Sequence, residues 1–317
     1  EIRLSLVGSE MCIRDRRKNT GVGMMDCKKA LTEADGDVEK AMLILREKGL
    51  ATQAKKAGRV AAEGMVIAKV NADHTVGCVV EVNSETDFVA NTDEFKAFVN
   101  TVADTIIEKN PADVEALKST VIAGGTATVD EALQELFLKI RENLQIRRFE
   151  RFDNSTVNVA YNHMGGVIGV LVGLEVSEGL KDNATVKELG KDIGMQAAAM
   201  NPSFLDKSDV DEATLAKEKE ILLIQALEEN KTAAKPKPEQ IIHKMVDGRI
   251  NKFYKEVCLL KQPFVKDGEI DVAEYIEKTG KELGGTIKVA DFVRYEKGEG
   301  IEKREDDFAA EVASMVK

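Results

Sequence analysis

The apolar residues of this chain change period twice, each time in the same order: two strand-like runs joined by turn residues, then helix. Residues 65–70 (MVIAKV) and 77–82 (GCVVEV) flank a turn at 71–75. Residues 156–162 (TVNVAYN) and 166–176 (GVIGVLVGLEV) form a second such pair, and helical sequence returns at about 186–200. A segment that alternates every second residue cannot bury its apolar face as a helix, so each pair predicts an antiparallel hairpin backed by helices. The fold class expected is therefore α+β, with a core of two related halves and small antiparallel sheets. Residues 93–148 are expected to supply mostly helix between the halves, ending at Arg147-Arg148.

Before the first hairpin the pattern is helical. Met25, Ala30, Leu31 and Ala34 mark one helix, and Val38, Ala41, Met42 and Leu45 fall at i, i+3, i+4, i+7 in the next. Asp35-Gly36-Asp37 breaks them, with Asp37 placed as N-cap, and Gly49 stands where a glycine would end the second helix. Two such stripes are buried only within a compact module of about three helices. Lys55-Lys56-Ala57-Gly58-Arg59 is a basic linker out of it, whereas residues 1–16 carry neither period and are set aside as foreign to the fold.

Past the second half, residues 206–254 hold two charged, helix-prone stretches around Lys235-Pro236-Lys237-Pro238, where two prolines forbid a continuous helix. The expectation is a projecting helical hairpin. Its seam would use Leu215, Leu222, Leu223 and Leu227 outbound and Ile241, Ile242, Met245, Val246 and Ile250 returning. A helix at 271–283, a strand at 287–295 and a last helix from about Glu302 complete the chain.

At 317 residues the chain has room for two or three domains. A net charge of −11 opposes a role built on broad contact with phosphate backbones, so a protein partner is expected rather than nucleic acid. No apolar run reaches the ~20 residues a membrane span requires. The four cysteines and three histidines are scattered without metal-ligand spacing, and the cytoplasm, with reduced thiols, is the expected compartment.

Signals of catalysis fail in turn. Gly280 to Gly285 approach a phosphate-binding loop, but Thr286 replaces the lysine and no strand precedes it. Gly21-Val22-Gly23 and Gly298-Glu299-Gly300 lack a third glycine and are expected to be turns. The chain is expected not to be an enzyme, and no cofactor or metal is called for.

What stands out is Asn83-Ser84-Glu85-Thr86-Asp87-Phe88-Val89-Ala90-Asn91 after the second strand. Thr86 or Asp87 there would cap a short helix and set an acid beside an aromatic at its start. Phenylalanine is usually buried, so the residues alone favour Phe88 in the core over an exposed wedge and leave the choice open.

Two long motifs resemble one family. Thr20-Gly21-Val22-Gly23-Met24-Met25-Asp26-Cys27-Lys28-Lys29-Ala30-Leu31, followed by Gly36-Asp37, is similar to the N-terminal signature of elongation factor Ts, and Thr86-Asp87-Phe88-Val89-Ala90-Asn91 to its second. The pattern N-x-x-I-R-R at Asn143 to Arg148, Tyr161-Asn162-His163, Met195 to Pro202, Lys244 to Arg249, Gln262 to Val265 and Gly298 to Lys303 follow in the family's order. The resemblance covers about residues 17–317 and departs from the family at its start, where the usual first helix is missing or altered.

It implies a ubiquitin-associated-like helical domain at 17–56, core subdomains at 57–150 and 151–290 with a coiled-coil hairpin inserted at 206–254, and a C-terminal module at 291–317. It also implies a guanine nucleotide exchange factor binding elongation factor Tu, both GDP-bound and nucleotide-free. By matching residues, Thr86, Asp87, Phe88 and Val89 would disturb the partner's Mg²⁺ and phosphate site; Gly21, Val22, Gly23, Met24 and His163 would make further contacts. The competing expectation, from the helical module alone, is a non-enzymatic adaptor that binds a partner through residues 17–56.

Overall fold

Each half of the core is a three-stranded antiparallel sheet with helices on one face, and the two sheets meet back to back. In the computed structural model residues 24–232 and 237–302 are described. The chain enters through α1 (Met24–Glu33) and α2 (Val38–Lys56). Between them Asp35 and Gly36 take positive φ, and the Asp37 carboxylate accepts the Glu39 and Lys40 N–H groups at 2.9 and 3.1 Å, capping α2. Cys27, Ala30, Leu31, Ala34, Ala41 and Leu45 close against one another, with Leu138 of the core packed on them.

Gly49 does not end α2, which runs on to Lys56. A Cβ at that position would overlap the Leu138 side chain, so the glycine serves close approach of the helix to the core rather than capping. The helix expected ahead of α1 lies outside the described residues.

The first sheet comprises β1 (Glu63–Val70), β2 (Gly77–Ser84) and β3 (Gln145–Phe152), in that order. Between β2 and β3 come α3 (Asp87–Ala90), α4 (Asp93–Lys109), α5 (Val114–Ser119) and α6 (Val129–Ile140). Val80 and Val82 face these helices and pack with Phe95, Val99, Ile106 and Leu133.

Strand β3 corrects the expectation of helix up to Arg148. Its alternation is hidden because Arg147 and Arg148, in the bulged half of the strand, turn away from the helices and are held by ion pairs to Glu81 instead of apolar contact. A register shift between Glu81 and Val82 pairs Glu81 with Arg148 and Val82 with Ile146, leaving Arg147 as the extra residue of a bulge.

The second sheet has the order β4 (Val157–His163), β5 (Ile168–Val176), then a C-terminal strand described below. Helix α7 (Ala184–Met200) lies on its outer face, where Gly190 and Gly194 bring the helix against Val159 and Tyr161. The projecting hairpin is α8 (Glu212–Thr232) and α9 (Glu239–Val257). Its seam joins Leu215, Leu222, Leu223 and Ala226 to Ile242, Val246, Ile250 and Tyr254.

Leu227 and Ile241, expected in that seam, are 39% and 45% exposed, while Ala226 at 2% takes the inner position. One residue is about 100° of helical turn, and the run 242, 246, 250 fixes the inner face. After a short hairpin, β6 (Pro263–Phe264) and β7 (Asp267–Asp271), come α10 (Val272–Glu282) and β8 (Ile287–Glu296), which pairs with β5. Strand β8 crosses residue 290, so residues 291–296 complete the second sheet. The helix expected from about Glu302 lies outside the described residues.

Val66, Ala68 and Val79 of the first sheet meet Leu171 and Tyr295 of the second. The β4–β5 hairpin also covers the open edge of β1: the Asn162 amide accepts from Ala68 N–H at 2.8 Å and donates to Ala68 C=O at 2.9 Å, and Val66 N–H donates to Gly166 C=O at 2.8 Å. Borrowing a side-chain amide as a strand satisfies an edge that would otherwise be open to other chains.

Candidate functional site

Strand β2 is buried along its whole length and ends at Ser84, and the next residues turn outward. Thr86 has extended backbone and caps the single turn of α3, its hydroxyl accepting the Val89 N–H at 3.4 Å. The turn divides its residues by face. Val89 and Ala90 pack onto the first core, whereas Asp87 is exposed and Phe88 is 82% exposed. Phe88 is therefore not a core residue, because a one-turn helix pinned by Val89 and Ala90 leaves the residue before them pointing into solvent. An acid and an aromatic ring stand side by side, with none of the described residues packed over the ring.

This corner is braced from behind by the segment after α6. Arg141 ends α6 in left-handed conformation (φ 63°), and the chain reverses. Thr86 N–H and Thr86 hydroxyl then donate to the two carboxylate oxygens of Glu142 at 3.0 and 2.8 Å. The Ser84 hydroxyl donates to Thr86 C=O at 2.9 Å. Asn143 N–H donates to Glu85 at 2.6 Å, and the Asn143 amide donates to the linker carbonyls of Ala57 and Arg59 at 3.3 and 2.7 Å.

A second polar centre lies further back on β2. Glu81 is fully buried, and its carboxylate accepts from Arg147 (3.0 and 3.2 Å), Arg148 (2.7 Å), the Asn83 amide (3.1 Å) and Gly298 N–H (2.8 Å). Burial alone would push this carboxyl up; the Gly298 N–H, the Asn83 amide and the two guanidiniums outweigh it and hold it below the ordinary range. Arg148 also lies over the Tyr295 ring at 4.0 Å and pairs with Glu299 at 3.1 Å, and Arg147 donates to Glu299 C=O at 2.6 Å. Gly298 has positive φ, and a Cβ there would overlap the Ala62 backbone. The centre thus fastens residues 296–299 to the strand that leads to Phe88.

His163 ends β4 on the other sheet, stacked on Tyr161 at 6.0 Å with the Tyr161 hydroxyl 3.1 Å from its Nδ1. The exposed Met164 and the Gly165-Gly166 turn follow, all at positive φ. Thr86 to Val89 are thus contiguous on one corner, and His163 occupies a separate hairpin tip. Gly21, Val22 and Gly23 lie outside the described residues, and Met24 opens α1. Among the described residues no group of three or more His, Cys, Asp or Glu is placed to hold a metal ion, and no helix is long and apolar enough to cross a membrane.

A family model described as elongation factor TS matches residues 85–299, beginning at this corner and ending at the residue that Arg147 and Arg148 hold. The chain belongs to the elongation factor Ts family. It is 51% identical over 304 residues to elongation factor Ts of Clostridium perfringens, covering 96% of this chain and 97% of the relative. For the protein of that name from Clostridium kluyveri the figures are 49% over 306 residues, 96% and 97%; for Clostridium acetobutylicum, 47% over 309 residues, 97% and 98%. Membership of the Ts family places the chain in the elongation stage of protein synthesis.

Sequence reasoning missed Glu81, Glu142 and the work of the two arginines. The signal was present in the N-x-x-I-R-R pattern, whose first residue braces the corner and whose last two surround Glu81.

Proposed function

We propose that this chain is a non-enzymatic guanine nucleotide exchange factor for elongation factor Tu, acting in the cytoplasm. It binds the GDP complex, inserts the Asp87–Phe88 corner beside the partner's nucleotide and disturbs the groups that hold Mg²⁺ and phosphate. The observation that carries this is the 82% exposure of Phe88 next to an exposed carboxylate, on a turn held by Glu142 and by a buried strand. Held outward on this turn, the Phe88 ring gains its burial in a complex.

The thermodynamics is linkage. A factor that binds the empty partner more tightly than the GDP form lowers GDP affinity by the same factor, and equal binding of both forms would shift nothing. Thr86 and Val89 hold the wedge, Asp87 and Phe88 enter the partner, and Gly21 to Met24 and His163 add contacts elsewhere. The factor itself carries no metal or cofactor. Residues 17–56 serve as the partner-docking module, 57–150 and 151–290 with the arm 206–254 as the two core subdomains, the second completed by β8 up to residue 296, and the rest of 291–317 as the C-terminal module.

Release of a fluorescent GDP analogue from elongation factor Tu tests this. The intact chain should accelerate release, and Asp87→Ala/Phe88→Ala should lose most of the acceleration, at least tenfold, as expected for removing a buried aromatic and its neighbouring charge. A second reading has its own observation: Met25, Met42 and Leu43 stand exposed on α1 and α2, a surface suited to an adaptor. It expects the double variant to behave as the wild type.

A further inference from the structure

We infer that Glu142 is the positioning residue that presents the Asp87–Phe88 corner to its partner, an inference that rests on the exchange reading above. Helix α3 has four residues, and the hydroxyl cap on Val89 N–H is long at 3.4 Å. A single turn does not hold its own shape. Nor does Phe88 help, since a ring with 82% of its surface in water gains by folding back onto the apolar surface nearby. The turn is kept outward by what grips Thr86, and that grip is chiefly Glu142, whose two carboxylate oxygens take the Thr86 N–H at 3.0 Å and the hydroxyl at 2.8 Å. The same hydroxyl is thereby oriented with its lone pairs toward Val89 N–H, so one carboxylate fixes both the start and the cap of the turn.

Glu142 is itself fixed from both sides. Arg141, in left-handed conformation, pairs with Asp26 of α1 at 2.5 Å, and its carbonyl accepts from the Lys56 ammonium at the end of α2. On the other side Asn143 is tied to Glu85 and to the linker. The three consecutive residues therefore join the helical module, the linker and the corner. In these bonds Glu142 reaches the wedge through Thr86, and its part is to hold the turn in place.

The test uses the full chain carrying Glu142→Ala or Glu142→Gln, each in the wild-type and in the Asp87→Ala/Phe88→Ala background. In the wild-type background Glu142→Ala should lower the maximal GDP release rate about tenfold, with a smaller change in the concentration giving half-maximal rate. Glu142→Gln keeps one acceptor oxygen and should fall between. In the double-variant background neither substitution should cost anything further, because there is no wedge left to position. Amide hydrogen exchange of the free proteins should show faster exchange at Thr86 with β2 protected as in wild type.

Undiminished release by Glu142→Ala, or unchanged exchange at Thr86, overturns the inference. Two failures are distinguishable. A double variant as fast as wild type brings down the exchange reading and Glu142's part in it. A slow double variant that Glu142→Ala slows again by the same factor overturns the role of Glu142 alone.

Discussion

Glu81 is the residue whose surroundings most exceed what its neighbours in sequence foretell. It occupies a strand of apolar residues as a lone carboxylate and yet is 0% exposed, with five donor contacts converging on it. Replacing it with alanine would leave Arg147 and Arg148 without their shared partner and open a hole between the sheets. The expected cost is about 2–4 kcal/mol of unfolding free energy, measured by urea titration. The pH dependence has a definite sign. The folded-state carboxyl titrates below its unfolded value near 4.3, so its contribution is complete above that value and is lost as pH falls through the lower, folded one. Within that acid window the wild type should lose stability more steeply than Glu81→Gln, and equal slopes would count against the assignment.

At the scale of elements, the arm is the piece least tied to the rest. Its seam is a single file of apolar residues, so a charge placed there has nowhere to go. Val246→Asp should cost the arm about 3 kcal/mol and speed amide exchange through α8 and α9, while β2 and β5 keep wild-type protection. The elements also mark where the sequence was readable. Both hairpins, the helices on their faces and the paired helices of the arm were legible, because each announces itself by local period and by prolines or caps. Strand β3 was not, since two of its outward positions hold Arg147 and Arg148, and the partner they share, Glu81, lies 66 residues from Arg147. Gly49 misled for a related reason: its neighbour Leu138 is remote in sequence, and only the packed structure shows a close approach instead of a cap. At the candidate site, the exposure of Phe88 was not legible, since the residues alone favoured a place for it in the core. The grip on Thr86 comes from a segment 56 residues on.

For the whole molecule, the sheets packed back to back put the stability in one place and the wedge in another. Phe88→Ala should leave the urea midpoint within about 0.5 kcal/mol of wild type, since an exposed side chain gives the fold little, while GDP release falls. A large loss of stability would mean the ring is packed in solution. Strand β2 has its other consequence in mechanics. It is covered on both faces and hydrogen-bonded along both edges, to β1 and to β3. A load applied at Phe88 passes through Thr86 into the end of β2, where drawing the strand out would have to shear two ladders together and drag side chains from between two packed layers. Of the paths by which a partner's resistance could be absorbed, the rigid body yields last, so under the proposed exchange function the work of binding would be delivered to the partner's nucleotide site and not dissipated in bending the tool.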